Sequence, residues 1–362
     1  MPRTDRESEE KVKRASYTAR AGDELFDGSC NRTGPGDVVD QESCGMPYMR
    51  NRLLGSTMAL ALTWVIWSLA SKPAAGQEAA KAGLTNYGGC PTENLAFHLC
   101  ALEKAKSFNP PRTPDGKPDM QGYWRGREAK NNFSVEAITA DEPLTRSPIM
   151  PWFVTAGMLV DPPDRKLPYQ PWAAAIGRKG ENFKKYVDPR TACGSGGVPR
   201  VLSDLSLVLQ PQGEDVVTFL FEDQGVYRVV PTDGRPHIGK NIKLTNGDSV
   251  GHWEGNTLVV DVTNLNGYNW LDDSGNFYTD ATHLIERMTM IDPNTIHFEG
   301  TIDDPKAYTR PWKIAWPMVR ETGPGFEFLE EACREGERDV ALFRRLGYRF
   351  YRGNNLPASR PH

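Results

Sequence analysis

From about residue 201 onward, apolar and polar positions alternate in short runs set between turn residues, the period-2 signal of half-buried strands. The runs are Leu205–Gln210, Val216–Glu222, Val226–Val230, Ser249–Trp253, Thr257–Thr263, His283–Ile291, Thr295–Ile302, Trp312–Val319 and Phe326–Leu329. Tight connections join several of them: Gln212-Gly213-Glu214-Asp215, Asp223-Gln224-Gly225, Glu254-Gly255-Asn256 and Asp292-Pro293-Asn294. In the last, Pro fixes φ and Asn supports the turn. With Gly122-Tyr123-Trp124 upstream, about ten strands follow one another, and such a series closes most easily as an antiparallel up-and-down β-barrel because closure removes exposed edges. A two-sheet sandwich fits the same strands less well, since it needs longer crossings.

Flanking this region the period changes. Glu93–Glu103 places apolar groups at helical spacing, so 77–120 reads as a small helical cap and linker, broken by Pro110–Asp119. Residues 140–200 are rich in proline and aromatics, a long lid-like stretch of the kind that docks on a surface. Cys333–Tyr351 alternates charge with Val340, Leu342, Phe343 and Leu346 and reads as an outer helix. The barrel domain is placed at 121–332 and the C-terminal helix and tail at 333–362.

The N-terminal pattern is of a different kind. Met49-Arg50-Asn51-Arg52 is basic, Leu53–Ala70 is uncharged and largely apolar, and Ser71-Lys72-Pro73-Ala74-Ala75-Gly76 offers small residues at cleavage spacing. That is the order of a secretory signal, here spanning 49–76. The rival is a membrane anchor, but the run is short for a span and diluted by Gly55, Ser56, Thr57 and Thr63. Membrane contact is then expected only through an uncleaved signal. Because such signals begin at the initiator methionine, residues 1–48 read as a spurious upstream extension or a disordered segment, with the true start at Met46 or Met49. The product is expected in the periplasm or outside the cell.

Composition narrows the partners. The chain carries 43 Lys+Arg against 47 Asp+Glu, a net charge of −4. Nucleic-acid binders need a basic face, and no such excess exists. Four cysteines follow the signal: Cys90, Cys100, Cys193 and Cys333. In an oxidising compartment an even number suggests two disulfides, Cys90 with Cys100 and Cys193 with Cys333; the alternative is free, buried thiols. No Cys/His spacing suggests zinc, and no dinucleotide or phosphate-loop fingerprint appears, so neither metal nor cofactor is expected. Oligomeric state is not readable.

Four stretches carry a resemblance: Pro111–Asp119 with Gly122-Tyr123-Trp124; Asp161-Pro162-Pro163-Asp164 with Pro168-Tyr169-Gln170-Pro171-Trp172; Gly247–Asp261; and Thr301–Trp312. They resemble a large family of exported bacterial proteins with no assigned reaction, over roughly 110–335. The resemblance implies export and a β-rich fold, and Cys193 and Cys333 also match it, which supports their pairing. Departures lie at Gly194-Ser195-Gly196-Gly197, where relatives more often read Leu-Pro-Pro-Gly, and in the basic C-terminal helix. The Gly-x-Trp is similar to the first-strand motif of lipocalins.

Candidate chemistry sits on the strands and their ends. Among the tryptophans after the signal, which also include Trp152 and Trp316, Trp124, Trp172, Trp253, Trp270 and Trp312, with Tyr169, could line an apolar ligand site; as core packing they would do nothing more. His252 becomes a general acid or base if it faces the interior and a solvated rim residue if not. Glu286, between Leu284 and Met288, is either an isolated carboxylate with a raised pKa or half of an ion pair with an Arg. In Asp303–Trp312, Tyr308 could donate to a developing oxyanion and Arg310 could hold a carboxylate. The structural alternative there has Asp303 or Asp304 capping the turn and Arg310 pairing with one of them. His283 joins these as an acid–base candidate. His237, His252 and His283 could meet over a metal, but no short spacing supports it. Ser195 lacks the flanks of a nucleophile elbow.

The resulting expectation is an exported, cofactor-free enzyme doing acid–base chemistry (isomerase, lyase, cyclase or hydrolase) on a hydrophobic or aromatic small molecule. Tyr308, Arg310, His252, Glu286, Asp304 and His283 are its candidate groups. The alternative is a periplasmic binding or carrier protein for a hydrophobic ligand, in which the same groups anchor a polar end; a structural role at the envelope is a third. N-terminal sequencing of exported protein should begin near Gln77, and a secreted species retaining Arg3 or Glu24 would refute the assignment.

Overall fold

The computed structural model describes residues 86–127, 134–138, 157–177, 185–222, 225–331, 333 and 339–353. Residues 49–76, read above as a signal, everything before them, Gln77 and Trp152 lie outside the described residues. Among the described residues nine strands form the body: β1 Gly122–Gly126, β4 Leu205–Leu209, β5 Val216–Phe221, β6 Tyr227–Pro231, β7 Asp248–Glu254, β8 Thr257–Thr263, β9 His283–Asp292, β10 Thr295–Asp303 and β11 Trp312–Arg320. Each except β6 pairs antiparallel with the next of them in sequence, and β11 returns to β1 through Trp124 opposite Arg320. The result is a nearly closed antiparallel up-and-down barrel. A short β2, Leu159–Asp161, takes the part of the β11 edge that β1 leaves free.

The ring contains an odd number of strands, so one neighbouring pair has to run the same way. That pair is β6 and β7, which share no ladder. Their matching ends lie side by side: Arg228 Nε donates to Ser249 Oγ at 2.8 Å, and Val230 packs where a Cβ on Gly251 would come within 2.8 Å of its Cγ1. A parallel pair cannot be joined by a hairpin, so residues 232–247 cross the outside of β7 and β8. The crossing is pinned there. His237 Nδ1 meets Asp248 at 2.7 Å and its Nε2 meets Asp261 at 3.0 Å, while Asn264 Nδ2 donates to the carbonyls of Gly239 and Ile242.

Alternation fixes the inner face. Trp124, Phe219, Phe221, Leu258, Phe298, Trp312, Trp316 and Met318 point inward and are buried. The stretch after β2 contributes helix α2, Pro171–Ile176, where the missing N–H of Pro171 falls at the first turn and costs nothing. Tyr169 stacks on Tyr308 at 4.8 Å and Tyr308 stands edge-on to Trp312 at 5.2 Å, so this segment lids the end where β8 and β10 finish.

Helix α1, Asn94–Ala105, is capped by the Glu93 carboxylate accepting from Ala96 N at 2.8 Å. Phe97, His98 and Ala101 face the barrel, and Cys90–Cys100 ties the helix to the loop before it. Cys193–Cys333 bonds as well, so both expected disulfides form.

Two expectations fail. Phe326–Leu329 is no strand, because β1 and β2 already occupy the outer edge of β11; Phe326 and Phe328 pack on Tyr123 instead. Among the described residues the C-terminal helix, α3, covers Asp339–Arg345, and it ends before Tyr351 because the chain turns at Gly347 with φ +83°. It then pairs β12, Arg349–Phe350, in parallel with β3, Tyr186–Val187.

Under α1 the rings of His98 and His297 touch, Nδ1 to Nε2 at 3.0 Å, beside Glu299 and Lys313. Burial, with His98 and Lys313 alongside, pushes the His297 imidazole down to about 3. The unfolded chain protonates this ring near pH 6.5 while the folded chain does not, so its contribution is complete above that pH and is lost as pH falls toward 3. Chemical denaturation should show a loss of roughly 3 kcal/mol from this group between pH 7 and pH 4, absent in His297→Gln. Identical slopes in the two proteins would place the acid sensitivity elsewhere.

Candidate functional site

Three consecutive rungs across β7–β11 hold the polar centre of the barrel interior. One reads Ser249, Val262, Leu284, Ile302, Trp312; the next Gly251, Val260, Glu286, Gly300, Ile314; the third Trp253, Leu258, Met288, Phe298, Trp316. Glu286 is thus at mid-height between two rungs that carry tryptophans. From across the parallel seam Arg228 of β6 brings Nη1 to 2.6 Å of Glu286 Oε2, with both side chains essentially inaccessible.

The contact is a buried ion pair, and Arg228 acts on the Glu286 carboxyl both as a charge and as a hydrogen-bond donor. Arg228 Nη2 and Glu286 Oε1 have no hydrogen-bond partner among the described residues, nor have the indole N–H groups of Trp253, Trp312 and Trp316. Buried polar groups are ordinarily satisfied. Here donors dominate: a guanidinium and three indoles stand near one carboxylate and one hydroxyl. Burial pushes the Glu286 carboxyl up, and Arg228 pulls it back only in part.

The structure separates the groups read from sequence. Glu286 is inside and is paired with an Arg, one of its two expected states. His252 is not inside: it lies on the outer face of β7, over half exposed, 3.0 Å from Glu254, because β7 turns Gly251 and Trp253 inward. His283 is also outside, with Nε2 2.9 Å from Asp261, so His237 and His283 share that carboxylate while His252 stands apart beside Glu254. Among the described residues no group is arranged to hold a metal ion.

The cluster after β10 is a cap. Asp304 is buried and accepts from Thr279 N, Thr279 Oγ1, Thr282 Oγ1, Lys306 N and Ala307 N. Tyr308 donates to the Phe277 carbonyl at 2.7 Å, and burial lifts its phenol well above the ordinary range. Arg310 is exposed and pairs with Asp161 at 2.8 Å rather than with Asp303 or Asp304.

Of the aromatic candidates, Trp312 and Trp253 face the polar centre. Trp124 is inside toward the opposite end, its N–H on Met120 O and the Arg320 guanidinium 4.1 Å over its ring. Tyr169 donates to Asn276 and Trp172 to Lys306 O, both within the lid. Trp270 is buried against Tyr351, away from the strands. Ser195 donates to Asn246 in a loop.

Arg228 is the residue that sequence reading missed. In β6 both faces alternate plausibly, Arg228 and Val230 against Tyr227 and Val229, and the structure buries the pair that contains the charge. Trp316 was seen only as one of several tryptophans.

No family model and no curated relative matches the chain. Among solved structures it is similar to a mutant of the fluorescent protein UnaG, at 13% identity and a TM-score of 0.22, over 38% of this chain and 94% of that one. So slight a likeness bears on neither fold nor function.

Removing one member of a buried pair leaves the other uncompensated. Urea denaturation of Arg228→Met should therefore show a loss of roughly 3–5 kcal/mol, and Arg228→Met with Glu286→Leu should recover most of it. A neutral single variant would mean that the pair is not held as charges.

Proposed function

We propose that this chain is an exported binding or carrier protein that holds a small, largely apolar molecule inside the barrel, with the molecule's polar end on Arg228 and the inner tryptophans. One observation carries the reading: a surplus of buried donors without acceptors, set at mid-height in an otherwise apolar interior. A ligand that brings acceptor oxygens, such as a carboxylate or carbonyl, satisfies those donors, while the Leu, Phe and Met side chains of the same rungs accept its hydrocarbon part. The β6–β7 seam, which has no ladder to break, offers the route inward.

The acid–base enzyme reading has less support. It needs two ionisable groups within reach of one substrate atom. Tyr308, Arg310, Asp304, His252 and His283 each have a local partner, and they lie in the lid or on the outer face. Only Glu286 of the candidates stands at the centre, and its neighbour there is a guanidinium, which does not exchange protons near neutral pH. Export is part of the proposal. Two disulfides suit an oxidising compartment, and among the described residues no helix is long and apolar enough to cross a membrane.

Native mass spectrometry of protein purified from its own host should show a 1:1 apolar ligand bearing a carboxylate or carbonyl. Its removal and return should change indole fluorescence. The Arg228→Met, Glu286→Leu double variant should remain folded and bind that ligand at least tenfold more weakly. Protein that is always empty, with no fluorescence response to fatty acids, terpenoids or aromatic acids, would sink the carrier reading.

A further inference from the structure

The centre of this barrel is electrically neutral, and neutrality decides what it can admit. On the inner faces of β6–β11 the charged groups are Arg228 and Glu286, with Arg320 at the far rim over Trp124. The inner neighbours of Glu286 along its rung are Val260 and Gly300, then Gly251 and Ile314, none of which can carry charge. Nothing but Arg228 faces it with a charge from any packed strand.

Arg228 is held for a second partner. Its Nε is fixed on Ser249 and its Nη1 stands 2.6 Å from Glu286 Oε2, which aims the guanidinium across the seam, while Nη2 has no hydrogen-bond partner among the described residues. A planar guanidinium with its outer edge unspent matches a carboxylate in a bidentate pair. Bringing in such an anion beside ionised Glu286 would leave two negative charges on one cation within an apolar shell, at a cost of several kcal/mol. One proton removes that cost.

Resting on the carrier reading above, we infer that the ligand is an organic anion that displaces Glu286 from Arg228, and that Glu286 takes up one proton from solvent as it does so. Before binding the centre holds a guanidinium and a carboxylate; afterwards it holds the guanidinium, the ligand's carboxylate and a carboxylic acid. The sum is zero in both states, and the new Glu286 O–H can donate to the ligand. The raised carboxyl of Glu286 makes this exchange easier but is not its cause. A neutral alcohol or ketone would instead use the indole N–H groups and leave the ion pair intact.

Titration calorimetry on the full-length chain tests this. Decanoate and 2-naphthoate are the anionic probes and decanol the neutral one, each in buffers of differing ionisation enthalpy from pH 6 to pH 8. Anion binding should take up about one proton per molecule and weaken about tenfold per pH unit. Glu286→Gln should bind the anions without proton uptake or pH dependence, and the wild-type buffer series decides the matter should that variant not fold. Anion binding with no proton uptake in the wild type would overturn the exchange and leave the carrier reading standing. Binding of decanol alone would also overturn it, again sparing the carrier reading. Failure of all three probes to bind would count against both.

Discussion

An antiparallel ring with an odd number of strands has one pair that runs the same way, and much of this molecule follows from that. The pair is β6 and β7. Parallel neighbours need a crossing chain rather than a turn, so residues 232–247 travel the outer wall, and the His237–Asp248–Asp261 contacts that resemble a reactive cluster act as the pins of that crossing. Without a ladder, the seam is closed by side chains: Val230 over Gly251, and Arg228 reaching to Ser249 and Glu286. The charge in the interior is thus placed by topology. A side chain long enough to bridge the open seam, and polar enough to replace the missing backbone bonds, brings its guanidinium to the middle of the barrel.

The sequence revealed strands better than faces. Period-2 alternation and turn chemistry located the body strands to within a residue or two, since hairpins such as Glu254-Gly255-Asn256 leave little freedom of register. The Phe326–Leu329 run has the same local pattern and forms nothing, because strand formation needs a free edge and local pattern cannot report one. Faces were lost where both were apolar. In β6 the choice between Arg228 and Tyr227 is made by Phe219 across the hairpin and by Gly251 and Glu286, both distant in sequence. In β7 the small side of Gly251 is what the seam requires, and that requirement sends His252 outward. One helix was legible from its own spacing, and the other was cut short by Gly347.

The polar residues that drew attention in the sequence were dense and local, and density proved a sign of architecture. Asp304 gathers five donors because two long connections meet where β10 ends, and a carboxylate there replaces backbone bonds that the loops cannot make among themselves. Tyr308 serves the same junction, with its ring in the lid stack and its O–H on a carbonyl. These groups are satisfied. The centre of the barrel is the opposite case, sparse in sequence and unsatisfied in space.

That contrast bears on why the centre exists. A buried ion pair is a poor way to stabilise a fold, since apolar residues of like volume commonly do as well or better. Glu286 shares its rung with Gly251, Val260, Gly300 and Ile314, and Arg228 stands opposite Phe219, so an aliphatic pair would pack there without desolvating two charges. Specifying the seam does not require charge either, because Gly251 and Val230 already set how closely β6 and β7 approach. What an aliphatic pair could not supply is a guanidinium beside the indole N–H groups in an apolar interior, and an N–H left without an acceptor there is costly. Topology accounts for where Arg228 and Glu286 meet, and the cost of the pair to the fold is what the binding proposal rests on.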